Sequence, residues 1–255
     1  MHACERLIPH THDHVEVRAV RAQLTQREQV RTPVSLRTEP VRARSSARIR
    51  ALIDATAEVV HRVGIERVTT NLIAEEAGCS IGTLYRYFPD RVAVLRALAL
   101  QHASTLHDDA QREISRVSPD EAGLKRATVA LARTFVDRYR GTPGWAAIGF
   151  GHALDLPITV AEQNLVSPPL RGKRTPRQQI SRDVALRFSG DDAQLDALTV
   201  DLEVALTIIH ALVDRAFTSS PEGDAAQLET ADLVFGQIAE HVVGAHRDRR
   251  RKLAA

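Results

Sequence analysis

Between Val68 and Arg91 the chain reads VTTNLIAEEAGCSIGTLYRYFPDR, and this stretch restricts the fold more than any other. It predicts two short helices joined by a tight turn at Ala77-Gly78. Thr69 or Thr70 is placed to cap the first helix and Ser80 the second, because a hydroxyl there accepts a bond from the orphan N–H groups of a first turn. Gly78 ends the first helix and permits the sharp reversal. Pro89 and Asp90 break the second before a long helix from about Arg91 to Val117. Two such helices on a small apolar core, with a polar and basic outer face, have the anatomy of a helix-turn-helix, whose second helix enters the major groove of a duplex.

The flanking sequence supplies the rest of that unit. A helix is expected from about Ser45 to His61, with Ser46 as N-cap. Its Ile49, Leu52, Ile53, Thr56, Val60 and Val63 recur at helical spacing, and Gly64 stops it. Beyond Ser118-Pro119-Asp120 everything still reads helical, with candidates at about 120–140, 144–154, 157–166, 176–188, 192–218 and 225–246. Strand-like alternation is absent, and Ser167–Pro176 is the obvious loop. The expected fold is all-α, in four parts: a basic, disordered arm over 1–44, in which Val15–Gln29 could form a transient helix; a helix-turn-helix head over 45–92; a ligand-binding and dimerisation body over 93–246, entered by a connecting helix; and a basic tail over 247–255.

Composition narrows the partners. With 44% hydrophobic and 26% charged residues this is an ordinary globular chain. The net charge of +2 is too small for a uniformly basic nucleic-acid binder. Residues 1–50, however, hold ten Arg against five acids, so basic character is local. Cys4 and Cys79 cannot build a disulfide framework, and Cys79 reads as a lone buried thiol. No apolar run is long enough for a membrane span, and no signal-peptide core is present, so the cytosol is the expected compartment.

The second short helix has the chemistry of a groove reader. Ser80, Ile81, Gly82 and Thr83 are small or short, so the backbone can approach base edges and phosphates, and Thr83 offers a hydroxyl and a methyl. Leu84 and Phe88 should face inward toward Ile73, Ile53 and Val92. Tyr85 and Tyr87 should point away, with phenols able to reach phosphate. Arg91 and the backbone N–H of Thr70 are further phosphate anchors, and the amide of Asn71 suits adenine.

The ordered string Thr69-Thr70, Ile73-Ala74-Glu75-Glu76-Ala77-Gly78, Ser80-Ile81-Gly82-Thr83-Leu84-Tyr85-Arg86-Tyr87-Phe88 and Arg91 resembles the DNA-binding head of TetR-family transcriptional repressors. The resemblance spans Arg48–Leu98, about one fifth of the chain. It implies phosphate or groove contacts by Thr70, Ser80, Tyr85, Tyr87 and Arg91, and base-facing positions for Asn71, Ile81, Gly82 and Thr83. Ile81 departs from the polar residue common there and favours a thymine methyl. The resemblance also implies a homodimer through the last two long helices, an inverted-repeat operator, and a small-molecule effector bound in the body.

The body sequence agrees with an interface. Leu195, Leu198, Leu202, Leu206, Ile209 and Val213 in one segment, and Leu228, Val234, Phe235, Ile238 and Val242 in the next, make apolar faces wide enough for a core plus a partner. Phe135, Tyr139, Trp145, Phe150 and His152 are the candidate pocket residues, and a mixed apolar lining would suit a lipophilic or aromatic inducer. Cys4, His10, His12, Asp13 and His14 have metal-ligand chemistry but no rigid framework, so no metal site is assigned. No cofactor is implied. Nucleophile–base pairs, phosphate-cradling glycine loops and paired catalytic acids are lacking, so the chain does not read as an enzyme. An alternative to the ligand-released repressor is an architectural, low-specificity DNA binder that uses the basic arm.

Overall fold

The computed structural model describes residues 43–148, 154–218 and 220–253, all within one compact unit. Among them every regular element is helical. The arm with its transient helix and the Cys4/His10/His12/Asp13/His14 cluster lie outside the described residues. Ala43 and Arg44 are described and open α1, Ala43–Val63. The helix thus starts before Ser45, and Ser46 lies within it instead of capping it.

Short caps fix the next elements. Thr69 caps α2, Thr70–Glu76, by accepting from the N–H of Leu72. Ser80 caps α3, Ile81–Tyr87, by accepting from the N–H of Thr83. Asp90 caps α4, Arg91–Ser115, through the N–H of Ala93. Each such cap is worth about 1 kcal/mol. Gly64 (φ +79°) and Gly78 (φ +59°) hold the left-handed backbone that ends α1 and α2. Around these turns a core forms from Leu52, Ile53 and Val60 of α1, Ile73 of α2, Leu84 and Phe88 of α3, and Val94 and Leu98 of α4. Burying each such side chain contributes about 1.5–3 kcal/mol. Cys79 is only half-buried at the rim of this core, because it sits in the turn and not on a helix face.

α4 continues as one unbroken helix into a second core. Its Ala103, Leu106, Ala110 and Ile114 pack with α5 (Glu121–Gly141), α7 (Pro176–Phe188), α8 (Asp192–Ala216) and α9 (Ala225–Leu253). The joint between the cores is α6, Trp145–Ile148. Trp145 is fully buried in the second core, whereas Ile148 belongs to the first. Gly144 (φ +72°) sits so close to α1 that a Cβ would lie 3.0 Å from the carbonyl oxygen of Ala57.

Of the helix expected over 144–154, α6 and Leu154 are helical and 149–153 lie outside the described residues. One sequence expectation changes here. The helix expected over 157–166 is a 3₁₀ turn, Val160–Leu165. Its Glu162 carboxylate turns inward, accepts from the N–H and hydroxyl of Thr159 at 2.9 and 2.7 Å, and pairs with Arg96 of α4. Arg96 also donates to the Pro157 carbonyl at 2.8 Å. Glu162 is 1% exposed, so these partners offset the cost of burying its charge.

His102 of α4 stacks on Trp145 with ring centroids 4.7 Å apart. Burial, and then the Arg138 guanidinium, push its pKa down to about 3. An unfolded imidazole titrates near about 6.5. Between those values the unfolded chain binds a proton that the fold excludes. Stability is therefore full above about pH 6.5 and is lost as pH falls toward 3, by up to about 1.4 kcal/mol per unit. Thermal melts from pH 7 to 4.5 should show a falling Tm, and a shallower fall in His102→Gln. Equal slopes would remove His102 as the source.

Candidate nucleic-acid interface

The 3.6-residue period sorts α3 into two faces. Leu84, Tyr87 and Phe88 fall on one side and are buried. Ile81, Gly82, Tyr85 and Arg86 fall on the other and are exposed, Ile81 at 36% and Tyr85 at 41%. This corrects one expectation: Tyr87 does not point away from the core. It is 8% exposed and packs with the first core, because position 87 lies one turn from Leu84 and beside Phe88. Arg86 was not singled out from the sequence, although the same period places it outside next to Tyr85.

The entrance to α3 is open. A Cβ on Gly82 would meet only the Ser80 hydroxyl, at 3.9 Å. Nothing inside the described protein requires a glycine there, so its smallness is available to something outside. The Ser80 hydroxyl lies 3.0 Å from that of Thr83, in addition to capping the helix. Both are therefore held in fixed orientations on the presented end of α3.

Two contacts tie this face to its neighbours, and neither was legible in the sequence. The hydroxyls of Thr70 and Tyr85 are 3.2 Å apart, linking the start of α2 to the exposed face of α3. Asn71 is exposed on the turn that Thr70 opens. Arg91 donates to the carbonyls of Glu66 and Val68 at 3.3 and 3.2 Å. It thereby holds the loop leading into α2. Its guanidinium has further N–H groups, so a structural role and a phosphate contact are compatible. The head is not strongly basic, and Arg62 is drawn to Glu76 at 2.7 Å.

The candidate pocket residues occupy a different region. Phe135, Tyr139 and Trp145 are all buried in the second core. The Tyr139 hydroxyl lies 3.1 Å from Nε2 of His210 and donates to Asp214 at 3.2 Å. Tyr139 also packs on Phe217, with centroids 5.0 Å apart. Trp145 pairs instead with His102, so the three aromatics form two groups. Phe150 and His152 lie outside the described residues. A cleft of about 300 Å³ sits elsewhere, lined by Asp109, Arg112, Glu113, Asp137 and Arg138 among others, and Phe135, Tyr139 and Trp145 do not line it.

Arg91→Lys keeps a charge but cannot reproduce the planar fork that holds two carbonyls. It should weaken DNA binding while leaving the salt slope unchanged, whereas Arg91→Ala should also lower the slope by about one unit. A salt titration of both variants on one duplex makes the comparison. An unchanged slope in Arg91→Ala would remove Arg91 as a phosphate contact.

Residues 52–98 match the family described as "Bacterial regulatory proteins, tetR family". The chain is 35% identical over 97 residues to the nucleoid occlusion factor SlmA of Haemophilus influenzae, covering 36% of this chain and 40% of SlmA. It is 35% identical over 80 residues to the HTH-type transcriptional regulator BetI of Escherichia coli, covering 31% of this chain and 41% of BetI. The chain thus spans about two fifths of the length of these relatives. A TetR-family transcriptional regulator from Streptomyces coelicolor superposes with a TM-score of 0.59 at 22% identity, over 77% of this chain and 98% of that one. The helix-turn-helix head of this chain belongs to the TetR family, and the helical body around it has the fold of that family's regulators.

Proposed function

We propose that this protein is a cytoplasmic, homodimeric transcriptional repressor that binds an inverted-repeat operator and is released by a small-molecule effector. The observation that carries the reading is the presented face of α3. Ile81, Gly82 and Tyr85 stand outside a rigid core, on a head that matches a family of DNA-binding regulators. In this reading Ile81, Gly82, Thr83 and Asn71 face the bases. Thr70, Ser80, Tyr85 and Arg91 hold phosphates. Tyr87 supports α3 from below.

The surface of the last two long helices supports the dimer. Val200, Val204 and Ile208 recur every four residues on α8 and are 60%, 55% and 44% exposed. Leu233 of α9 is 71% exposed. A water-facing stripe of this kind is what a partner's matching stripe would cover. A two-fold dimer would set two copies of α3 one DNA turn apart.

The Trp145–His102 stack supports effector control. A ligand that separated Trp145 from His102 would disturb α6 and α4, and both of these helices enter the head core. A coupling of about 1–3 kcal/mol between effector and operator is the usual scale for such a link.

Footprinting on the protein's own upstream region should give a short palindromic site. Broad coverage without a palindrome would favour an architectural binder. Val204→Glu places a charge in the proposed interface. Sedimentation should then show monomer, and operator affinity should fall by more than tenfold. A variant that stays dimeric would move the interface elsewhere.

A further inference from the structure

The basic end of α9 is not used by the reading above, and the fold gives it a definite place. Arg247 donates to Glu121 at 2.7 Å, which pins the end of α9 to the start of α5. Arg249 is drawn to Asp201 of α8. In the last turn Arg250, Arg251 and Lys252 are exposed, and no described carboxylate bridges to them. Two more exposed cations flank the neighbouring corner between α4 and α5. Arg126 donates to the Ser118 hydroxyl at 3.1 Å, and Arg187 donates to the Val117 carbonyl at 2.5 Å. Both donate to a neutral oxygen and make no direct bridge to a described carboxylate, although the charge of Arg126 acts on nearby Asp120.

The acids at this end are mostly committed. Glu113 is held by Arg116, Asp120 caps α5, and Asp191 caps α8. Glu121 is held by Arg247, and its carboxyl is kept below the usual range by that bond and by the charges of Arg247, Arg250 and Arg251. Asp248 is exposed beside Arg247. Five exposed cations that no described carboxylate bridges therefore share this end with two unbridged acids, Asp248 and Asp192, in a chain whose net charge is only +2.

This cluster lies at the end of α4 remote from the head. α4 has 25 residues, which at 1.5 Å per residue separates it from α3 by roughly 36 Å. A duplex seated on the head is out of its reach. We propose that this pole binds the phosphate backbone of a second DNA duplex, so that the molecule bridges two stretches of DNA. The chemistry favours phosphate over other anionic partners. A protein interface needs buried apolar or aromatic anchors, and a lipid surface needs apolar side chains to insert. Here the exposed large apolar side chains are Leu186 of α7, beside Arg187, and Val200 of α8, beside the Asp201 that Arg249 bridges and part of the stripe assigned above to the dimer. Neutralising phosphates needs only cations.

The word "second" rests on the reading of the head, so the two surfaces are tested separately. The probe is a labelled 30-base-pair duplex of arbitrary sequence, titrated with full-length protein at several salt concentrations. Three variants are compared with wild type: a head variant, Ile81→Glu with Tyr85→Glu; a pole variant, Arg250→Glu with Arg251→Glu and Lys252→Glu; and the two combined. The head variant should keep a salt-sensitive binding component. The combined variant should lose it by more than tenfold, with the salt slope reduced by about three. Substituting Gln for the three cations should give an intermediate loss, and circular dichroism should show unchanged helicity. The pole proposal is overturned if the combined variant binds as the head variant does, or if the head variant binds no duplex at all. It is also overturned if phosphatidylserine vesicles are bound as tightly as DNA and the pole variant loses both. If instead the head variant matches wild type while the pole variant does not, the head reading fails and the pole stands.

Discussion

A single helix shared by two cores is the constraint on which the structure rests. The first turns of α4 supply Val94, Leu95 and Leu98 to the head, and its later turns supply Leu106, Ala110 and Ile114 to the body. Neither core can shift along α4 without unpacking the other, because close-packed side chains do not deform continuously. α6 repeats the same arrangement on a smaller scale, with Trp145 in one core and Ile148 in the other. The close approach of Gly144 to Ala57 removes the slack that a longer linker would leave. The orientation of α3 is therefore set by the body as well as by the head.

Polar interactions refine this frame. The pair of Arg96 with the buried Glu162 is completed by Thr159 and Pro157, so the segment before Ser167–Pro176 is held against α4. Asp109, also buried, accepts from Arg112 and Arg138 and joins α4 to α5. Ion pairs of this kind add little net stability, because desolvation offsets the attraction. Their contribution is to fix which face of each helix meets its neighbour.

Local signals made much of the head readable. Thr69, Ser80 and Asp90 cap where their chemistry allows, and Gly64 and Gly78 turn where a left-handed residue is needed. Tyr87 was misread because two tyrosines in a short polar-looking helix suggest a pair of outward phenols, while the helical period puts only Tyr85 outside. The sequence also misjudged the 157–166 segment. Its apolar spacing fits a helix, but Glu162 turns in to meet Arg96, a residue 66 positions away.

By itself the sequence determined the helical class, the turn chemistry of the head and the outward placing of Ile81, Gly82 and Tyr85 on α3. These follow from periodicity and from side chains bonding to backbone within three or four positions. Only the tertiary structure decided that Arg91 holds the Glu66 and Val68 carbonyls, that Tyr85 leans on Thr70, and that Phe135, Tyr139 and Trp145 fall into two groups. It also decided that the basic end of α9 stays helical and lies at the pole opposite the head. Each of these depends on contacts between residues far apart in the chain, set by how whole helices pack, and no local pattern encodes that packing.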